Sequence, residues 1–537
     1  MLHLLLPVLA GLAPQDAWTA LPLPDLCRES RTGINVTAPS GGVHVLLEES
    51  SPIGRRGSRV LLEPDALTGL LQLTAGAAGR SLSFFPFTPP LLVQGGEADV
   101  AWARSALRGI EAAGARNRIT LSAWLLPSAA ASAPGADGAL PEGARAWRGE
   151  AWAGEELVFG ERDRRGFIAT YDVEVSTDSG VAAPVVGTIL TGQSVHLRAS
   201  RVAGGARYHL RGVLDLAELE DLETFDPDTP DLGEFLQPRV RSVSVSFSGV
   251  AKSGELLRVE LAGTPLAQPD WTLLVRVDTT AEPSGPAAAG AALGSEWRAI
   301  DVSLLERRAP VLESLDPGAG LGGEVRLGTV TPQAATLTAS GVLSLVQQGT
   351  RARRTGGGTR ASAVETPVQV MEGLLLVSSE TNAGGLAERI AAFVREVEAP
   401  RLSSASVEVT HGGLRASFPV AEGETARLLV GTERSLLTGY RSEIAPNTWM
   451  PSPIVERAFD GLAWQGRLGG GKLDAESWTS STTSIELQDR EAAQVGAIQL
   501  PDRRVRGARA QVTRGERADM LQPLRDRPGL SVEVAGS

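Results

Sequence analysis

The sequence predicts an α+β protein that is mostly β. It reads as a duplicated unit in which a small βαβ-type module leads into an antiparallel β domain. Three observations predict this. Tyr171 to Gly192, YDVEVSTDSGVAAPVVGTILTG, recurs without a gap at Tyr440 to Gly461, YRSEIAPNTWMPSPIVERAFDG. Flanking segments recur in the same order. Long stretches alternate apolar and polar residues at the two-residue period of a strand. Within the repeated stretch Tyr171 matches Tyr440, Glu174 matches Glu443, Pro184 matches Pro453 and Gly192 matches Gly461.

The elements follow in order. Leu2 to Ala13 is an apolar run ending in the small residues Gly11-Leu12-Ala13, so residues 1–13 are expected to be a signal peptide, although no Lys or Arg precedes the run. An α+β domain is expected over 21–87. It holds a short helix from Leu23 to Ser30, strands at Ile34–Val36, Val43–Leu47 and Ser58–Leu62, and a helix opening at Pro64-Asp65. A βαβ-type module follows over 88–126. Its strand is Leu91-Leu92-Val93, and the Gly95-Gly96 turn leads to a helix whose Val100, Ala103, Leu107 and Ile110 share a face. Arg118 to Leu125 is its second strand. Ser128 to Ala144 has the composition of a surface loop.

The first β domain spans 145–279 and a Pro/Ala/Gly-rich linker spans 280–295. A middle α+β domain (296–371) precedes the second unit much as the N-terminal domain precedes the first. The second module (372–410) repeats the first, with Leu386, Ile390, Phe393 and Val397 at helical spacing, and the second β domain covers 411–537. Arg239 to Phe247 finds its counterpart in Arg504 to Val512. Pro184 and Pro453 are expected at strand starts, Gly192 and Gly461 at turns, and Tyr171 and Tyr440 as anchors of the β core.

Composition narrows the function. The chain has 537 residues, a net charge of −12 and 42% hydrophobic residues. The acidic balance argues against a nucleic-acid partner or an anionic membrane surface. Cys27 is the single cysteine, which excludes an intrachain disulfide and reads as a small buried residue.

Leu91 to Leu126, LLVQGGEADVAWARSALRGIEAAGARNRITLSAWLL, resembles the ring-building periplasmic subdomains of bacterial secretins from type II and type III secretion systems. That family joins an apolar strand, a helix ending near an acidic residue, and a strand of the QVxIEAxIxEV kind. Arg118-Ile119-Thr120-Leu121-Ser122-Ala123 occupies the last place. Leu375 to Val409 resembles the pattern again, and Tyr171 to Val277 is similar to the early strands of the secretin core. The family's pore-lip motif, V-P-x-L-G-x-I-P-x-L-G-x-L-F, has no copy here. The resemblance implies a periplasmic or secreted envelope protein that works through protein partners, including further copies of itself.

No catalytic, cofactor or metal site is expected. The histidines His3, His44, His196, His209 and His411 show no metal-ligand spacing, and no nucleophile elbow or phosphate loop stands in its required context. His196 reads as a surface strand residue. The acidic run from Asp215 to Glu234 is the best place for chemistry, with Asp226, Asp228 and Asp231 close enough in a loop to share calcium. Trp449 and Trp464 would stack on sugars if exposed and fill a β core if buried. The reading is therefore a non-enzymatic assembly protein. A carbohydrate- or surface-binding β protein and a hydrolase using the acidic run stay open as alternatives.

Overall fold

The computed structural model describes residues 18–23, 44–47, 64–86, 91–115, 118–127, 140–177, 179–202, 207–226, 232–279, 297–301, 310–311, 331–332, 368–371, 374–378, 388, 390–392, 403–445, 448–487, 498–521 and 530–535. The expected leader, Cys27, the strands at 34–36 and 58–62, Asp228, Asp231 and the linker at 280–295 lie outside these residues.

The chain begins with β1 (Trp18–Leu21), β2 (Val45–Leu46), helix α1 (Pro64–Ala77), β3 (Ser83–Pro86), β4 (Leu91–Gln94) and helix α2 (Glu97–Ala115). Pro64 suits the first turn of α1, where its missing N–H costs nothing. Leu67, Leu70 and Leu71 then fall on one buried face. In α2, Glu97 and Asp99 sit in the first turn, where the helix dipole favours negative charge. Val100, Ala103, Leu107 and Ile110 are buried, as their spacing predicts. Both helices cover an antiparallel sheet of order β1-β4-β3.

Next come β5 (Arg118–Pro127), β6 (Arg145–Trp152), β7 (Glu156–Val175), β8 (Gly180–Arg201), β9 (Arg207–Phe225), β10 (Phe235–Lys252), β11 (Leu256–Ala262) and β12 (Trp271–Thr279). β13 (Trp297–Asp301), β14 (Pro310–Val311), β15 (Thr331–Pro332), β16 (Val368–Met371) and β17 (Leu374–Ser378) follow. The sheet β13-β17-β16 has the same antiparallel order as β1-β4-β3, and Trp297 and Leu376 join the core beneath α2. The chain closes with β18 (Ser404–His411), β19 (Leu414–Ala421), β20 (Thr425–Ala445), β21 (Thr448–Gly469), β22 (Lys472–Leu487), β23 (Ile498–Thr513), β24 (Arg517–Leu521) and β25 (Leu530–Val534).

Two large antiparallel sheets carry the architecture. One runs β7-β8-β9-β10-β20-β21-β22-β23, with β2 also beside β8. The other runs β24-β25-β18-β19-β11-β12-β5-β6. Their inner faces share one core, which includes Leu121 and Val275 from one sheet and Val195, Val245 and Leu428 from the other. Trp464 on β21 is fully buried, with its ring 5.6 Å from that of Phe418 on β19. In each large sheet the strands before residue 280 form one block and those after residue 400 a second. The two blocks lie side by side in the same sense. β10 pairs with β20 from Arg239↔Arg434 to Ser246↔Arg427, and β11 pairs with β19.

Three expectations change. Segment 88–126 reads as one βαβ unit, yet β4 belongs to the small N-terminal sheet and β5 to a large one, between β12 and β6. Pairing of β5 with residues 271–279 is a long-range choice that the local pattern does not contain. Pro184 and Pro453 are not strand starts but lie inside β8 and β21. There, β9 and β22 have already left, so each strand has a large-sheet neighbour on one side only and a residue without an N–H is tolerated. Gly192 and Gly461 are likewise inside continuous strands, not in turns. They mark the points where β9 leaves β8 and β22 leaves β21. Gly192 has φ 104°, and a Cβ there would lie 2.2 Å from the Glu161 carbonyl oxygen. The equivalent distance at Gly461 is 2.2 Å, to the Val430 oxygen.

Candidate functional site

Where β9 diverges from β8, a fork opens beside residues 180–191 of β8, and β2 enters it. Val45 pairs with Ile189 and Leu46 with Thr188, and Leu190 N–H donates to the His44 carbonyl at 2.9 Å. The other side of this short segment meets the second half of the chain. Glu433 on β20 accepts from His44 N–H (3.1 and 3.0 Å to its two oxygens) and from Val45 N–H at 3.2 Å. His44 and the adjoining strand β2 thus tie β8 to β20 at the seam between the halves.

The His44 ring lies in a buried charged cluster. Its Nε2 is 3.2 Å from Asp215 Oδ1 on β9, close enough for an ion pair though not aligned as a hydrogen bond. Its Nδ1, in the neutral ring, accepts from Arg162 Nη1–H on β7 at 3.3 Å. Arg162 Nη2 also donates to Ser194 Oγ at 2.8 Å and to Asp215 Oδ2. His44, Ser194 and Glu433 have 0% exposure and Asp215 has 3%. Burial is the largest influence on both titrating groups and works against their charge. The opposite charges outweigh it. Asp215, then Glu433, hold the His44 imidazole above its ordinary value against the opposing Arg162. His44 and Arg162 hold the Asp215 carboxyl down at about 2. The Arg162 guanidinium and the His44 imidazole together face two carboxylates. This arrangement satisfies buried charge and binds elements together. A second cross-link lies nearby, where Arg211 on β9 donates to Glu424 of the second half at 2.6 Å and His209 Nε2 lies 3.7 Å from the same carboxylate.

The residues singled out by the repeat lie farther along the long hairpins. Tyr171 pairs with Pro184, and Tyr440 pairs with Pro453. The two hairpins meet, because Thr170 Oγ1 donates to the Pro453 carbonyl at 3.2 Å. Tyr171 and Tyr440 pack against one apolar cluster of Val173, Leu232 and Met450. Tyr171 OH donates to the Glu234 carbonyl at 3.2 Å. The Tyr440 hydroxyl has no hydrogen-bond partner among the described residues, and burial pushes it up to about 12. Glu174 is exposed and Glu443 half-buried. Thus the structure gathers the tyrosines and prolines at the hairpins' far ends and leaves Gly192 and Gly461 at the forks.

The acidic run is resolved differently. Asp215 to Phe225 is strand, not loop, and Asp215 faces the buried cluster. Among the described residues no group of three or more His, Cys, Asp or Glu is placed to hold a metal. His196 lies on β8, 3.1 Å from Glu156. Trp464 is inaccessible to a sugar. Sequence reasoning missed Arg162 and Glu433. The available signal was a charged residue in step with an apolar one: Glu433 shares a face of β20 with buried Leu429, opposite to the face of Ala426, Leu428 and Val430.

No family model matches the chain, and no curated protein matches it. Among solved structures, the β-barrel of the secretin domain of InvG, from the Salmonella SPI-1 injectisome, is 13% identical. The match covers 51% of this chain and 90% of that one, with a TM-score of 0.24. A second structure of the injectisome secretin InvG is 11% identical over 52% of this chain and 90% of that chain, with a TM-score of 0.25. These are weak structural similarities.

Proposed function

We propose that this chain is a tandem of two equivalent β units and that it works without catalysis, as an assembly protein of the cell envelope, secretin-like, with further copies of itself as partners. One observation carries the reading: both large sheets join their two blocks in the same head-to-tail sense. In one, the last strand of the first block, β10, pairs with the first strand of the second, β20. In the other, β19 pairs with β11. Such a junction does not use itself up. The outer strands β7 and β6 at one end, and β23 and β24 at the other, are the counterparts of strands already paired at the seam. A heterologous contact of this kind continues from chain to chain and closes as a ring or extends as a filament. Strand addition at an exposed edge supplies the affinity. The apolar leader at Leu2 to Ala13 supports the envelope location. Among the described residues no helix is long and apolar enough to cross a membrane.

The test is a mixed cross-link. Transposing the seam pair Arg241↔Thr432 onto the outer edges sets Arg506 of one chain opposite Asp163 of the next. With Cys27→Ser as background, Asp163→Cys and Arg506→Cys chains should form a disulfide when mixed and none when kept apart. Light scattering should give a mass above that of one chain. A monomer at every concentration would overturn the assembly reading.

A further inference from the structure

We propose that the groove between β1 and α2 docks a short extended peptide of a partner protein, one that carries an acidic residue beside an apolar one. This goes beyond self-assembly and needs no contact between copies. A cavity of about 550 Å³ opens between residues 20–23, at the end of β1, and Arg104, Leu107, Arg108 and Glu111 of α2. That volume is ordinary for a binding pocket. β1 is an outer strand of the sheet β1-β4-β3 and pairs with β4 along one side. Along its other side, alternate N–H and C=O groups are unpaired among the described residues. Such an edge accepts an added strand, held by main-chain hydrogen bonds. Pro22 has no N–H and keeps that pairing short.

The walls choose the side chains. Leu21, Leu23 and Leu107 are buried and give an apolar floor. Arg104 and Arg108 stand exposed at the rim, one helical turn apart and beside Leu107. Arg108 Nε donates to the Arg104 carbonyl at 3.4 Å, and among the described residues no carboxylate lies within ion-pair distance of either guanidinium. Arg80, the cation nearest to α2 in the same domain, is by contrast held by Asp99 at 2.9 Å and stacked over Trp102. Two uncommitted guanidiniums above an apolar floor, in a chain of net charge −12, match a carboxylate ligand. A peptide lying along β1 turns every second side chain toward α2. One fills the floor and the next faces the arginines. From Arg104 to Glu111 the helix rises about 10 Å, the length of about three strand residues. Glu111 puts the opposite charge at the far end and sets the peptide's direction, with its acidic residue toward Arg104. A lipid carboxylate would use the floor and the arginines but not the strand edge, so the edge favours a peptide.

The experiment is binding of the full chain to an array of blocked hexapeptides in which threonine alternates with three varied positions, with tiles of the chain's own sequence beside them. Retained peptides should set aspartate or glutamate next to leucine, isoleucine or valine at successive varied positions. The strongest, labelled with fluorescein, should bind saturably by anisotropy. It should weaken with salt, and at least about tenfold against the Arg104→Ala, Arg108→Ala double variant. Both arginines are exposed, so that variant should keep its thermal unfolding. Methylating one alternate set of the peptide's backbone nitrogens should weaken binding and methylating the other should not, because a paired strand donates from one side only. An array without acidic preference, an unchanged affinity in the double variant, or equal binding of the two methylated forms overturns the proposal. Displacement by myristate with indifference to methylation would make the groove a fatty-acid site. A best binder among the chain's own tiles would make the occupant another copy. Either result overturns the partner peptide.

Discussion

At the scale of single residues, the seam depends on charges that have been taken out of water and given partners. Glu433→Ala leaves the His44 and Val45 N–H groups buried without their acceptor. The loss should be about 3–5 kcal/mol, typical of breaking one side of a buried charged contact, and denaturant unfolding measures it. The pH dependence has a definite sign. The raised His44 adds stability that is complete below 6.5 and lost as pH rises through its folded value. The lowered Asp215 adds stability that is complete above 3.8 and lost as pH falls through about 2. Thermal unfolding should therefore show these contributions greatest between those limits, and Asp215→Asn should blunt both flanks. Little of this was legible in the sequence. The cluster joins position 44, just before β2, to positions 162, 215 and 433 on three other strands, and no window contains two of them. Asp215 was visible, but its acidic neighbours made it look like part of a solvated run.

At the scale of elements, the forks depend on backbone that only glycine supplies cheaply. Gly192→Ala forces a Cβ onto the Glu161 oxygen at a positive φ, which should cost at least about 1–3 kcal/mol. Gly69 in α1 is the control. It has open space around it, so Gly69→Ala should stabilise by about 0.5–1 kcal/mol in the same assay. The helices were legible because their stripes are local, and the α2 face was read correctly down to Val100, Ala103, Leu107 and Ile110. The glycines were noticed but given the wrong geometry. A glycine inside a strand and one at a turn look alike until the neighbouring strand's departure is known.

At the scale of the whole molecule, 145–279 and 411–537 read as two β domains, but in the structure both contribute strands to each of two facing sheets. Their apolar residues fill a single core in which Phe418 and Trp464 of the second half lie among Val243 and Leu261 of the first. Calorimetry should accordingly find one cooperative transition for the two β regions, and well-separated transitions would contradict the shared core. Alternation revealed that both regions are β and mostly antiparallel. It could not reveal that β10 would choose β20, because edge pairing between distant segments leaves no periodic trace.

The Glu433 clamp also bears on how the chain reaches its final shape. His44 and the carboxylate that grips its backbone are separated by 389 positions. The amino-terminal segment must therefore wait for most of the polypeptide to emerge before its slot has a second wall. Contacts of such span are closed late and slowly. Residues made well before their partner on β20 are thus among the last to settle.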